Sequence, residues 1–232
     1  MRPELLNLDR LNAAMEHLEP RRLFSSPPAP AVQNGILKIW GTPGDDTIEV
    51  EYFTVAAAPN GADKTPFYGV YVDGATTLVS GTGIVGLHVH SGAGNDIIKL
   101  IDVDPNLISV PTPTGVQYTI FSVLVGETVF AGRGDDLIDA GYGNPGPVVS
   151  SGIPGRTGTC VLHGGAGNDT LTGSFGVLYG GQGNDSITAG TNTTVYAGAG
   201  NDAINIGNYS QDVISDVGGN DTILGSGELV LI

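Results

Sequence analysis

Seven short segments of the sequence place an aspartate in the same glycine-rich setting. They are GTPGDDTI (41–48), SGAGNDII (91–98), AGRGDDLI (131–138), GGAGNDTL (164–171), GGQGNDSI (180–187), AGAGNDAI (197–204) and DVGGNDTI (216–223). The fourth position is always glycine, the fifth is Asn or Asp, and the sixth is always Asp. A carboxylate supplies a hard anionic oxygen, and glycines let a loop turn its carbonyl oxygens inward, which suits Ca²⁺. The pattern therefore predicts calcium-binding loops.

The predicted metal ligands are the sixth-position aspartates and the glycines around them. The aspartates are Asp46, Asp96, Asp136, Asp169, Asp185, Asp202 and Asp221. The glycines are Gly92, Gly94, Gly132, Gly134, Gly165, Gly167, Gly181, Gly183, Gly198 and Gly200. Seven loops in one column leave at most six spaces between neighbouring loops, so we expect three to six calcium ions.

The seven loops differ in how well they keep the pattern. Asp169, Asp185 and Asp202 lie in the most regular loops and are the first candidates. The loop at 41–46 has Thr42 where later loops have glycine, which makes its site the weakest, and the loop at 216–221 lacks its first two glycines. An alternative is that these Asn and Asp side chains stack or form Asx turns without any metal.

Composition points to a cation-binding protein. The 232 residues include 37 glycines, and 24 acidic against 9 basic residues give a net charge of -15. The first 30 residues are electrically balanced, so the whole acidic excess follows them. Nucleic-acid binding needs clustered Lys and Arg, which this chain lacks. No apolar run is long enough for a transmembrane helix.

The spacing of the aspartates predicts a coiled architecture. Successive sixth-position aspartates lie 50, 40, 33, 16, 17 and 19 residues apart, and the last three spacings are close to two nine-residue units. Each coil would then contain two strands, with the acidic loop at one edge and a plain loop opposite. The longer gaps require insertions near 51–84, 102–118 and 141–158. The first of these reads as a hairpin with Asp73 and Gly74 at its turn.

Residues beside the loops predict a core and a surface column. An apolar residue lies two positions before each loop: Ile39, Val89, Val129, Leu162, Leu178, Val195 and Ile214. The next position holds Trp40, His90, Phe130, His163, Tyr179, Tyr196 and Ser215, which we expect to stack on one outer face. The column is interpreted as packing, with a carbohydrate-binding strip as the alternative.

The N-terminal residues differ from the repeats. Residues 1–24 have leucines at helical spacing and are predicted to form an amphipathic leader helix, followed by a Pro/Ser linker over 25–34 and the repeat region over 35–232. The segment LEPRRLFSS (18–26) resembles the N-terminal LEPR-XLL motif, which implies an export-associated leader. An ordinary helix and linker are the alternative. No cleavable signal peptide is expected.

The loops resemble the RTX (hemolysin-type calcium-binding) family. Its consensus GGxGxD plus an apolar residue matches GGAGNDTL and GGQGNDSI fully, and the resemblance spans about 130–225, with outlying copies at 41–48 and 91–98. It implies an all-β, right-handed parallel β-roll or β-solenoid, with Ca²⁺ held between stacked loops by Asp side chains and loop carbonyls. Because this chain repeats near 18 residues and not nine, one column of calcium loops is expected.

The predicted function is that of a non-enzymatic calcium-binding protein, secreted or on a bacterial cell surface, whose folding Ca²⁺ drives. It would be exported by a route without a classical signal peptide. The alternatives are an RTX module of a polysaccharide-acting enzyme, with Arg133 and Arg156 as candidate bases, or an adhesin that binds a cell-surface glycan. The last residues, 228–232, are either a secretion tail or a final strand.

Zinc binding and thiol catalysis are not favoured. His90 and His163 should be separated by Phe130 in the surface column, so they would not share a metal. The one cysteine, Cys160, has no partner for a disulfide and is expected to be buried and not catalytic.

Overall fold

In each repeat the chain forms two strands joined by an acidic loop. A computed structural model describes residues 26–56, 64–102, 126–140, 160–190, 192–206, 211–215, 218–225 and 228–231. These residues form β-strands and no helix, and among them no helix could cross a membrane. The predicted leader helix (1–24) and the predicted loops at 102–118 and 141–158 lie outside this description, apart from Asp102.

Half of the strands form a first sheet of nine strands, here called sheet A. In spatial order these are β1 (Ala31–Gln33), β2 (Ile36–Trp40), β6 (Gly86–Ala93), β8 (Gly126–Arg133), β10 (Cys160–Ala166), β12 (Gly176–Gln182), β14 (Thr194–Ala199), β16 (Gln211–Ser215) and β18 (Glu228–Leu231). Every pair is parallel except the first, because the chain returns to sheet A once per repeat.

The second sheet, sheet B, also has nine strands. In spatial order these are β17 (Thr222–Leu224), β15 (Ala203–Ile206), β13 (Ser186–Ala189), β11 (Thr170–Gly173), β9 (Leu137–Asp139), β7 (Ile97–Asp102), β3 (Thr47–Ala56), β4 (Lys64–Val72) and β5 (Ala75–Ser80). We call a sheet A strand, its acidic loop and the following sheet B strand a rung. Rung 1 is β2 and β3, and rung 2 is β6 and β7. Rungs 3 to 7 are β8 and β9, β10 and β11, β12 and β13, β14 and β15, and β16 and β17. The predicted all-β coil of stacked parallel strands is confirmed.

The core lies between the two sheets and is built from two apolar columns. The sheet A column pairs in register from Ile39 to Ile214, and its seven members are all fully buried. The sheet B column consists of Ile48, Ile98, Ile138, Leu171, Ile187, Ile204 and Ile223. Each buried Leu, Ile or Val contributes about 1.5–3 kcal/mol, so every rung adds a similar increment of stability.

The first insertion extends sheet B and does not leave the stack. β4 pairs antiparallel with β3 and β5 pairs antiparallel with β4. The predicted turn at Asp73 and Gly74 is confirmed, with φ angles of 49° and 78°. These positive values suit a tight two-residue hairpin, which Asp-Gly forms readily.

The prediction of a linker over residues 25–34 is wrong for the last residues of this range, which form a strand and a turn. Residues Ala31–Gln33 form β1, which pairs antiparallel with β2. Asn34 and Gly35 make the turn, with φ angles of 52° and 77°. Asn-Gly between two short strands is a strong hairpin signal, and it was the part of the sequence that could have revealed this strand.

Candidate metal centre

The acidic loops stack so closely that their glycines leave no room for a side chain. The second- and fourth-position glycines of five loops have φ between 111° and 148°: Gly92, Gly94, Gly132, Gly134, Gly165, Gly167, Gly181, Gly183, Gly198 and Gly200. A Cβ atom added to Gly183 would overlap the carbonyl oxygen of Gly167, and one added to Gly181 would overlap that of Gly165. The carbonyl oxygens at these positions therefore point along the stack toward the next rung.

The sixth-position aspartates form a continuous hydrogen-bonded column. The backbone N–H of each donates to Oδ1 of the aspartate one rung further along the chain, over 2.7–2.9 Å, from Asp46 to Asp221. All but the last are at most 2% exposed. The structure thus brings all seven predicted aspartates together in one column, although neighbouring members are up to 50 residues apart in sequence.

One oxygen of each central carboxylate lacks a donor. Oδ2 is buried and accepts no hydrogen bond in Asp96, Asp136, Asp169, Asp185 and Asp202. A buried anionic oxygen without a donor or a cation is costly. It therefore indicates that a proton or a cation compensates each of these carboxylates in the folded protein.

Burial is the main reason why four of these five carboxylates have a raised pKa and hold protons more tightly than usual. It raises the pKa of Asp136 to about 7 and that of Asp185 to about 6, and neighbouring carboxylates of the column add to the rise. The pKa of Asp96 and that of Asp169 are also raised by burial, although for Asp96 the Ser91 hydroxyl opposes the rise. The column thus favours neutralisation of its charge.

The first rung is different. Thr42 donates its backbone N–H to Oδ2 of Asp46 over 2.6 Å, and its hydroxyl lies 3.0 Å from Oδ1 and 3.1 Å from Oδ2. Burial still raises the pKa of Asp46 to about 6, with Thr42 opposing the rise and Asp73 adding to it. Both oxygens of this carboxylate therefore have donors within the loop.

A second ladder lies beside the aspartate column and was not anticipated as a continuous feature. It is made by the fifth-position residues Asp45, Asn95, Asp135, Asn168, Asn184, Asn201 and Asn220. Each backbone N–H donates to Oδ1 of the residue one rung earlier, over 2.7–2.9 Å. The two ladders thus run in opposite directions. The tolerance of both Asn and Asp at this position was the available signal, since a ladder needs only a side-chain oxygen.

Five rings of the surface column stack face to face. The centroids of His90, Phe130, His163, Tyr179 and Tyr196 lie 4.5–4.9 Å apart, with interplanar angles of at most 11°. The predicted stack is confirmed for these rings, and Phe130 separates His90 from His163 as expected. The three middle rings are covered on both faces, so a sugar ring cannot stack on them without displacing a neighbour. The packing interpretation is therefore favoured over a carbohydrate strip.

Other candidate residues lie away from this column. Cys160 is buried, as predicted. Its partner on the neighbouring strand β8 is Glu127, which is only 2% exposed, and the sequence did not suggest this burial. Arg133 is an exposed residue at the third position of its loop. Arg156 lies outside the described residues. No catalytic pair involving Arg133 is evident in the described loops.

Calcium is the metal that this donor set fits. In the described part of the chain, no three His, Cys, Asp or Glu side chains lie close enough to hold a metal ion together. An ion between rungs would thus take oxygens from at most two of these side chains and complete its shell with backbone carbonyls. Ca²⁺ accepts six to eight oxygens of this kind in flexible geometry, whereas zinc favours clustered N and S ligands.

Acidification is expected to stabilise the metal-free protein. The raised pKa values mean that the folded chain binds more protons than the unfolded one between about pH 4 and 7. This contribution to stability is fully present below the ordinary pKa of 3.8 and is lost as pH rises through 6 and 7. Thermal melts of chelated, dialysed protein should show a melting temperature that rises from about pH 8 to about pH 5.

The Asp136→Asn variant is the control for this pH dependence. It removes the carboxyl with the pKa of about 7, so its melting temperature should change less with pH than that of the wild type. A wild-type melting temperature that falls between about pH 8 and pH 5 would contradict the prediction.

The comparison with known families agrees with the loop geometry. The model of the RTX calcium-binding nonapeptide repeat matches four copies, within residues 126–144, 161–177 and 176–204. These residues contain the loops of Asp136, Asp169, Asp185 and Asp202. No curated protein and no solved structure matches the chain. Residues 126–204 thus contain calcium-binding nonapeptide repeats of the RTX, or hemolysin-type, kind.

Proposed function

We propose that this protein is a non-enzymatic calcium-binding protein of the cell surface or the extracellular space, and that Ca²⁺ completes its folding. The observation that carries the proposal is the row of five buried carboxylate oxygens without a donor, one in each of five successive rungs. A cation between the rungs compensates each of them and joins neighbouring loops. RTX repeats, which the chain contains, imply calcium binding.

The proposed ligands are the carboxylates of the column and the loop carbonyls around them. Asp96, Asp136, Asp169, Asp185 and Asp202 supply Oδ2, and Asp221 closes the column at its C-terminal end. The second- and fourth-position glycines supply carbonyl oxygens that point between rungs. This arrangement supports about five ions, within the expected range of three to six. When bound, Ca²⁺ supplies positive charge that a column of closely spaced carboxylates otherwise lacks.

The location follows from charge and calcium supply. A chain of net charge -15 with its acidic excess in the repeats repels itself where calcium is scarce, as in the cytosol. Extracellular calcium modules commonly bind with Kd values of about 10⁻⁴–10⁻³ M. We therefore propose an exported bacterial protein, with residues 1–24 as its leader, a short connector and a roll that begins at Ala31. The same charge opposes nucleic-acid binding.

The two other functions have less support. A polysaccharide-acting enzyme needs a catalytic constellation, and Arg133 is an isolated exposed residue among the described loops. A glycan-binding adhesin needs free ring faces, and the middle rings of the column cover one another. Calcium-dependent turnover of an acidic polysaccharide, lost in Arg133→Ala, would favour the enzyme instead.

The Asp185→Asn variant tests the proposal through two effects of opposite sign. Asparagine keeps the oxygen that accepts the Asp169 N–H over 2.9 Å, and it removes the buried charge. The metal-free variant should therefore melt at a higher temperature than the metal-free wild type. With saturating Ca²⁺ the order should reverse, and calorimetry should show about one ion fewer per chain.

The matched control is Asp135→Asn. Asp135 belongs to the exposed second ladder, in which Asn serves equally at five of the seven positions. Both the Ca²⁺ stoichiometry and the melting temperature of this variant should therefore stay close to those of the wild type. Equal Ca²⁺ stoichiometry in Asp185→Asn and the wild type would contradict the proposed site.

A further inference from the structure

We infer that rungs 1 and 2 form a cap that folds without Ca²⁺, and that rungs 3 to 7 are only marginally stable on this cap until Ca²⁺ binds. The inference rests on the proposed calcium function and deepens it, because it assigns the metal dependence to one part of the chain. It also removes Asp46 from the set of calcium ligands. The cap comprises residues 31–56 and 64–102, and the rungs that depend on calcium begin at Gly126.

The first argument is the hydrogen bonding of Asp46. Its two carboxylate oxygens receive the N–H and the hydroxyl of Thr42, whereas Oδ2 is without a donor in the five aspartates that follow. The loop backbone differs as well, since neither Thr42 nor Gly44 has the positive φ of the equivalent glycines in later loops. Thr42 thus gives both oxygens of Asp46 the donors that one oxygen lacks in the five rungs that follow.

The second argument is the hairpin insertion, which ties the first rung together from outside. Thr47, next to Asp46, donates its N–H to Oδ1 of Asp73 over 2.9 Å, and Asp73 donates its N–H to the Thr47 carbonyl over 3.0 Å. The Tyr71 hydroxyl donates to Glu51 over 3.0 Å on the same pair of strands. These bonds hold the turn of the insertion against the end of the first acidic loop without a metal.

The third argument is the amount of metal-independent sheet and core. β3, β4 and β5 contain 10, 9 and 6 residues, while β9, β11, β13, β15 and β17 contain only 3 or 4. The insertion buries Tyr68, Val70 and Val72, and Tyr52 packs edge-on against Tyr68 with centroids 5.2 Å apart. The later strands β9, β11, β13 and β15 each bury only one or two Ile, Leu or Ala side chains. Longer strands and larger buried side chains make the cap stable by itself.

The fourth argument is the distribution of uncompensated charge. Four of the five oxygens without a donor belong to rungs 3 to 6, in Asp136, Asp169, Asp185 and Asp202. The fifth belongs to Asp96 in rung 2, whose Oδ1 accepts the Asp46 N–H of rung 1, so the cap contains one uncompensated oxygen. Without a cation, the electrostatic penalty therefore falls mainly on the rungs with the thinnest core.

Hydrogen exchange of the full chain, followed by mass spectrometry with and without Ca²⁺, tests the inference. Peptides from 36–56 and 64–102 should be protected in chelator and change little on addition of Ca²⁺. Peptides from 126–140 and 160–206 should exchange rapidly in chelator and become protected with Ca²⁺. An equal gain of protection along the whole chain would overturn the cap and leave calcium binding intact. If Ca²⁺ changes the hydrogen exchange of no peptide, both the cap and the proposed function are overturned.

The Thr42→Val variant gives a second, independent measurement. Valine has the shape of threonine but no hydroxyl, so exchange in residues 36–50 should be about tenfold faster in chelator. Its Ca²⁺ stoichiometry by calorimetry should equal that of the wild type, because Asp46 holds no ion. Thr170→Val is the matched control, since Thr170 is exposed on sheet B. Loss of one ion in Thr42→Val would show that the first loop binds Ca²⁺ and would overturn the inference.

Discussion

Saturating Ca²⁺ is expected to raise the melting temperature of the metal-free protein by on the order of 30 °C. Each site adds about 2.7 kcal/mol to the free energy of unfolding when the Ca²⁺ concentration is 100 times Kd. For a chain of this length, each 1 kcal/mol raises the melting temperature by about 2–4 °C. Five buried carboxylates without a donor provide five places at which this gain can arise. Circular dichroism and scanning calorimetry of chelated protein, with Ca²⁺ added stepwise, measure it.

Magnesium serves as the control for this first prediction. Mg²⁺ requires nearly ideal octahedral geometry and gives up its water reluctantly, so a column of carbonyls and single carboxylates should respond to it weakly. Chelator added after Ca²⁺ should return the melting curve to its starting position. A melting temperature that is the same in chelator and in saturating Ca²⁺ would contradict calcium-driven folding.

The Gly183→Ala variant is expected to lose on the order of 3 kcal/mol or more of folding stability. Gly183 has a φ of 124°, where side chains are strained, and a Cβ atom would overlap the carbonyl oxygen of Gly167. Because that carbonyl belongs to the backbone of the preceding loop, the two loops can make room only by moving apart. We therefore expect a lower melting temperature and weaker Ca²⁺ binding, measured by thermal melts and calorimetry with saturating Ca²⁺.

Gly44→Ala is the matched control, because Gly44 occupies the same loop position in the first rung. Its φ is not positive, and an added Cβ atom would meet only the Thr42 hydroxyl at 3.7 Å, an ordinary contact. This variant should differ little from the wild type. Equal losses in Gly44→Ala and Gly183→Ala would show that glycine entropy, and not the close approach of the loops, accounts for the effect.

The repeating parts of the fold were predictable because they depend on local patterns that recur. The apolar residue two positions before each loop identified the buried column from Ile39 to Ile214, and the fixed distance from glycine to Asp identified the acidic edge. The ring column followed in the same way, since parallel strands in register bring equivalent residues together. Asp73-Gly74 also revealed its turn without any knowledge of the fold.

Features that depend on a neighbouring rung were harder to predict. The β1 strand was assigned to a linker, although Asn34-Gly35 signals a hairpin, because proline and serine dominate the residues before it. The second ladder was missed as a continuous structure, since an exposed Asn shows no preference in sequence for the rung before or after it. The burial of Glu127 arises from its register with Cys160, which the intervening insertion hides.

The chemistry of this protein can be predicted from its residue order: which residues carry the carboxylates, that they form one column, and that their oxygens suit Ca²⁺. This is possible because glycine, Asp and an apolar residue recur at fixed spacing in every copy. Which carboxylates lack a donor depends instead on contacts that exist only in the folded chain. Asp46 and Asp185 occupy the same position in their repeats. Thr42 donates to the carboxylate of Asp46, whereas burial between stacked rungs leaves Asp185 with an oxygen that receives no hydrogen bond. That difference depends on contacts between residues that the repeat pattern treats as equivalent.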